Sequence, residues 1–179
     1  VSVVQHGYAH VNHALGDSKK SEFGGRHDLD NRCADIAQGR EALTASLQGK
    51  FEPVFVPPWN RIHEDIVERL PSLGLHGLST FKPRAQATPF PGLTQTNCHV
   101  DIINWRDGRG FVGHAGALAA LTDHLRMRRS SHQVPDEPTG VLTHHLVHDE
   151  DCWTFLKQLF EHMRSDPNVR WLSTRETFG

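Results

Sequence analysis

The first apolar run, residues 1–5, is β-branched and ends directly in His6-Gly7, the pattern of a short buried strand that hands over to a loop. Residues 14–27, rich in Gly, Ser, Lys and Glu, predict a loop. Asp28 or Asp30 then caps a helix running to about Leu47, with Ile36, Leu43 and Leu47 on its apolar side and Gly49 to stop it. Residues 53–56 predict a second strand. Ile62, Ile66, Val67 and Leu70 recur at helical spacing, and Pro71 and Gly74 close that helix.

Further on, residues 75–81 predict a third strand and 82–96 a long proline-containing loop, a length that usually signals function. A fourth strand is expected over 98–105, a helix over 111–129 and a fifth strand over 140–147. Residues 149–164 are strongly amphipathic, with Trp153, Leu156, Leu159, Phe160 and Met163 on one side of a helix. Residues 169–172 predict a sixth short strand. This alternation predicts an α/β domain spanning 1–179, a parallel sheet or barrel wrapped by helices, with its chemistry at the carboxyl ends of the strands.

Composition narrows the classes. A chain of 179 residues with 37% hydrophobic positions can bury a real core. Nineteen basic against 21 acidic side chains leave a formal charge of −2, without the basic excess that phosphate binding demands, so nucleic acid is not an expected partner. No apolar run reaches the roughly 20 residues that span a bilayer, and the opening residues lack a signal-peptide layout. The expectation is a soluble, cytoplasmic chain without a membrane partner. Cys33, Cys98 and Cys152 form no Cys-x-x-Cys pair and are expected to be buried, reduced thiols. The 14 histidines are about two to three times the usual share, and they bunch inside predicted elements, which calls for a chemical explanation.

His6, His10 and His13 lie together after the first strand, and His6 and His10, four apart, share a face if the segment turns helically. Neutral imidazole is a good zinc ligand, so His6 and His10 are the candidate metal ligands. His13 is the alternative ligand or holds a neighbour's ring. Gly7 stands where a zincin motif would carry glutamate, which excludes that motif. Trp59 follows Pro57-Pro58 at the end of the second strand, a place suited to stacking on a sugar face or to packing. On an extended fourth strand His99, Asp101 and Ile103 share a face, so His99 and Asp101 can meet; Asp101 is a catalytic candidate or a turn carboxylate. His144, His145 and His148 gather at the end of the fifth strand. His144 and His145 then point to opposite faces, and Asp149 caps the following helix.

Taken in order, these segments resemble the polysaccharide deacetylase family of carbohydrate esterases. His6-Gly7-Tyr8-Ala9-His10 is similar to the family's His-[Ser/Thr]-x-x-His motif, and Phe55-Val56-Pro57-Pro58-Trp59 to its Arg-Pro-Pro-aromatic segment. Asp101-Ile102-Ile103-Asn104-Trp105 resembles Asp-x-x-Asp-Trp, and Leu142-Thr143-His144 resembles Leu-x-His. The resemblance spans nearly the whole chain. It implies a distorted (β/α)7 barrel and hydrolysis of an N-acetyl group on a carbohydrate or related small substrate. It further implies a divalent metal, zinc above all, held by His6 and His10, with His144 as catalytic acid and Asp101 beside it. Trp59, Pro58 and Trp105 would line the substrate pocket; His13, His99 and His148 are supporting or alternative residues. Three positions depart from the family: Gly7 for Ser or Thr, Val56 for the arginine and Asn104 for an aspartate. The family's Asp-Asp motif, source of the base and third ligand, precedes its histidine motif, so the first barrel strand is expected to lie outside this chain. The residues alone equally suit a noncatalytic carbohydrate-binding descendant, or another metal hydrolase on a (β/α) barrel. Imidazole also accepts iron, cobalt or nickel, and an incomplete barrel would leave a strand edge that an oligomer can cover.

Overall fold

The structure is a computed structural model that describes residues 1–24, 28–47, 49–130 and 136–179. It is mixed α/β with parallel strands and divides into two compact units, Val1–Asn97 with Thr174–Gly179, and Cys98–Ser173. The first holds β1 (Val3–Gln5), α1 (Leu29–Leu47), β2 (Phe51–Phe55), α2 (Glu64–Val67), β3 (Gly77–Leu78) and β4 (Thr94–Gln95). The second holds β5 (Val100–Asp101), α3 (His114–Ser130), β6 (Val141–Leu142) and α4 (Glu150–Ser165); α5 (Thr174–Phe178) returns to the first.

In the first unit the strands form one parallel sheet in the order β1-β2-β3-β4, with Gln5 opposite Phe55, Val54 opposite Gly77 and Gly77 opposite Thr94. Parallel neighbours need crossovers, so all four carboxyl ends emerge on one edge. Asp28 caps α1 as expected, its Oδ1 accepting the Asn31 N–H at 3.1 Å. Of the three residues expected on that helix's apolar side, Ile36 is fully buried and Leu43 and Leu47 only partly. Ile36 packs with Phe23, Phe55, Ile66, Leu70, Leu75, Leu78 and Leu93. Arg32, its side chain 2% exposed, forks onto Asp65 at 3.0 and 2.8 Å and ties α1 to α2. That bond holds the Asp65 carboxyl below its ordinary range.

The second unit is a β-α-β unit with β5 and β6 parallel, Val100 opposite Val141 and Asp101 opposite Leu142. Its core joins Val100, Ile102 and Ile103 to Ala117 and to Cys152, Phe155, Leu156 and Leu159 of α4. Asp149 caps α4 as read from the sequence, accepting the Cys152 N–H at 2.8 Å.

Several expectations shift. A fourth strand of the first sheet, β4, lies inside the segment read as a loop, whereas 98–105 yields only β5. Two-residue strands carry no alternation to read. The helix expected over 62–70 is regular only at α2 and continues as turns into a 3-10 turn at Pro71–Leu73. No strand forms at 169–172. The strand expected to 147 stops at Leu142: His144 adopts φ 54° and His145–Val147 is a 3-10 turn, so the two histidines do not alternate across a sheet. On α4 the buried face runs through Cys152, Phe155, Leu156 and Leu159, leaving Trp153 and Phe160 about half exposed. The three cysteines are thiols outside any disulfide, but only Cys152 is buried. The part of the 14–27 loop that falls on 25–27 lies outside the described residues.

Candidate functional site

The carboxyl edge of the first sheet presents His6, one residue past β1. His6 Nδ1 lies 3.0 Å from the Val56 carbonyl, just past β2. A carbonyl can only accept, so Nδ1 carries the proton and neutral His6 has its lone pair on Nε2, the arrangement typical of a metal-ligating histidine. The His10 ring lies 5.2 Å from that of His6 and 4.4 Å from Trp59. Beneath this loop sits Glu22, 2% exposed, whose carboxylate accepts the Ala9 N–H at 2.7 Å and the Tyr8 N–H at 3.3 Å. Gly7 has φ +67°, and a Cβ there would meet Glu22 Oε2 at 2.2 Å and Pro58 Cγ at 2.5 Å. The glycine that departs from the resembled motif is thus demanded by backbone conformation and by the buried carboxylate against it. Pro58 is buried and packs at Gly7, Trp59 is half-buried with φ 55°, and His13 donates its backbone N–H to Ser21 O at 2.9 Å. Among the described residues, His6 and His10 belong to no group of three close ligand side chains.

In the second unit, parallel pairing of β5 with β6 brings Asp101 beside His144. His144 Nε2 donates to Asp101 Oδ2 at 3.1 Å, Trp105 Nε1 donates to the same oxygen at 2.9 Å, and the Ile103 N–H donates to Oδ1 at 3.0 Å. Burial pushes the Asp101 carboxyl up, but the bonds from His144, Ile103 and Trp105 outweigh it and hold the group below its ordinary value. Trp105 stands edge-on to the His144 ring at 4.7 Å. Such a pair fixes the imidazole's orientation and leaves Nδ1 as the atom that takes or gives a proton. Asn104, which replaces an aspartate of the resembled motif, closes a turn by accepting the Arg106 and Asp107 N–H groups, both at 3.2 Å. His148 Nε2 donates to the Thr143 carbonyl and its ring stands edge-on to Trp153.

His99 does not join Asp101. It lies with His124 and Glu137 in a buried group whose ligand atoms are all within 4.8 Å of one another, and this group could hold a metal ion. The His99 and His124 rings stack at 3.5 Å and 16°, and His99 Nε2 is 3.3 Å from Glu137 Oε2. The sequence reading missed His124 and Glu137. One signal was present: His124 falls seven residues after Ala117 and three after Leu121, on the inner stripe of α3, where an unpaired polar residue is costly.

The first unit also contains an open cleft of about 520 Å³ lined by Ser21, Asn60, Arg61, His63, Thr80 and Gln95 among others, and none of the sequence-predicted site residues lines it. No helix of the described residues is long and apolar enough to cross a membrane. No family model matches the chain, and comparisons with curated proteins and with solved structures find no match either.

Proposed function

We propose that the protein is a metal-dependent hydrolase of the polysaccharide deacetylase kind, built on a distorted (β/α)7 barrel and removing N-acetyl groups from a carbohydrate or related small amide. The observation that carries this reading is the Asp101–His144 pair, a carboxylate 3.1 Å from an imidazole at the carboxyl ends of two parallel strands, with Trp105 bonded to the same carboxylate. Asp101 orients His144, and His144 Nδ1 hands a proton to the leaving amine. His6 and His10 hold the ion, zinc being the best match to imidazole donors in a hydrolase; the Val56 carbonyl keeps the His6 lone pair on Nε2, which fits that role. When bound, the ion supplies Lewis-acid polarisation of an amide carbonyl. The resemblance assigns the third ligand and the base to chain ahead of the histidine motif. Backbone strain supports the reading too. Six non-glycine residues among those described have positive φ, and three are His10, Trp59 and His144. A left-handed residue costs about 1–2 kcal/mol and is retained where geometry matters more than stability.

The test is acetate release from N-acetylated sugars, with zinc, by the protein expressed with any natural chain that precedes Val1. Replacing His144 by Gln is expected to lower kcat by about 100-fold or more with little change in KM. Unchanged turnover would sink the assignment. A noncatalytic carbohydrate-binding descendant is the second reading, favoured by Val56 and Asn104, which stand where the resembled motifs carry charged residues, Asn104 being engaged in closing a turn. Sugar binding without any acetate release would establish it.

A further inference from the structure

The buried group of the second unit stands apart from these candidates and does not depend on their reading. His124 Nε2 is buried without a hydrogen-bond partner, an arrangement native interiors rarely tolerate unless an ion or water completes it, and the buried His99 Nε2 meets Glu137 Oε2 at 3.3 Å without hydrogen-bond geometry. One nitrogen of each ring and a carboxylate oxygen of Glu137, whose side chain is fully buried, all lie within 4.8 Å of one another. We propose that His99, His124 and Glu137 form a structural metal site for a divalent ion of the zinc class. Two imidazoles and one carboxylate make an N,N,O set that suits zinc, cobalt or nickel, whereas magnesium and calcium require mostly oxygen ligands.

Each ligand comes from a different piece of the β-α-β unit. His99 precedes β5, His124 lies on α3, and Glu137 precedes β6, so one ion cross-links all three. The group is closed to solvent, as structural sites are and catalytic sites are not. His124 already has a supporting partner: its Nδ1 lies 2.9 Å from Thr139 Oγ1, and donation to that hydroxyl leaves the lone pair on Nε2. His99 is set for a proton instead, because its Nδ1 accepts the Gly140 N–H at 3.1 Å. An ion bound to imidazole lies in the ring plane, and two rings stacked at 16° share no such point nearby. Loading therefore turns the His99 ring out of the stack. The turn breaks its bond to Gly140 and lets Nδ1 take up the ring proton, so that Nε2 faces the ion.

The test uses cobalt(II) and zinc alone, added to chelator-stripped protein carrying His6→Ala and His10→Ala, which removes the other proposed ligands without touching the buried group. The result expected is about one ion per chain, a cobalt absorption band in the visible and a shifted Gly140 amide resonance with zinc. In that background Glu137→Gln and His124→Phe each weaken binding by at least about 100-fold. His124→Cys retains the ion and adds thiolate-to-cobalt charge transfer in the near ultraviolet. The proposal is overturned if the His6→Ala/His10→Ala protein, which folds with its second unit unaltered, binds no ion, or if Glu137→Gln binds as tightly as its parent. Failure of the deacetylase reading would show separately, as missing acetate release with this ion still bound.

Discussion

Replacing Gly7 by alanine tests how the histidine loop is held. At φ +67° an alanine suffers left-handed strain of about 1–2 kcal/mol. Its Cβ would also lie 2.2 Å from Glu22 Oε2 and 2.5 Å from Pro58 Cγ, contacts too short for any real methyl group, so the neighbours must move apart. Overpacking of a buried site adds about 1–3 kcal/mol. Glu22 cannot retreat freely, because its carboxylate holds the Tyr8 and Ala9 N–H groups, and Pro58 is a rigid ring. The expected loss is therefore about 2–5 kcal/mol, the strain and the overpacking together. Gly16 is the internal control: it has φ +57° with nothing within 4 Å of where an added methyl would sit, so Gly16→Ala carries strain alone, about 1 kcal/mol after the smaller entropy of the unfolded chain is counted. Urea unfolding followed by tryptophan fluorescence measures both. Cobalt titration of the Gly7 variant should in addition show weaker binding by His6 and His10, about 10-fold or more, since the loop that aims them has moved. If Gly7→Ala is no more destabilising than Gly16→Ala, Glu22 and Pro58 do not brace the loop and the argument fails.

Three further outcomes are expected. Burial, helped by nearby His99 and Arg128 and opposed by Glu137, lowers the His124 pKa from 6.5 to about 4. Between those values the unfolded chain binds a proton the folded one refuses, so stability of the metal-free protein rises with pH from about 4 to 6.5 and then levels; thermal melts in chelator that stay flat across that window would contradict it. Asp101→Asn should reduce kcat by about 10-fold or more with little change in KM, because the carboxylate that orients His144 is gone; an unaltered kcat would show the pair to be structural. Asp149→Ala should lower the melting temperature of the protein, because the Cys152 and Phe111 N–H groups both lose their acceptor, and amide exchange at the start of α4 should quicken. Equal exchange rates in the two proteins would rule out the cap.

What is local in the chain was legible from the sequence alone. The caps at Asp28 and Asp149 bond to N–H groups three residues on, and the alternation of apolar runs with helical spacing follows from the geometry of a single element, so the α/β class with parallel strands needed no partner to be read. His6, His10, Asp101 and His144 could be singled out for the same reason, as unusual residue types at the ends of apolar runs. Their partners were not legible. Glu22 under Gly7, Val56 on His6, and Asp101 on His144 rather than His99 all depend on which strands lie side by side and in what register. The strand β4 was hidden because two residues show no period, and it exists only through its pairing with β3. His124 and Glu137 read as ordinary helix and loop polar residues until docking of α3 against the strands brought them to His99 and shut out water. Propensity and periodicity act within one element, whereas the charge pairs and the buried histidines arise from contacts between elements, and those only the tertiary structure decides.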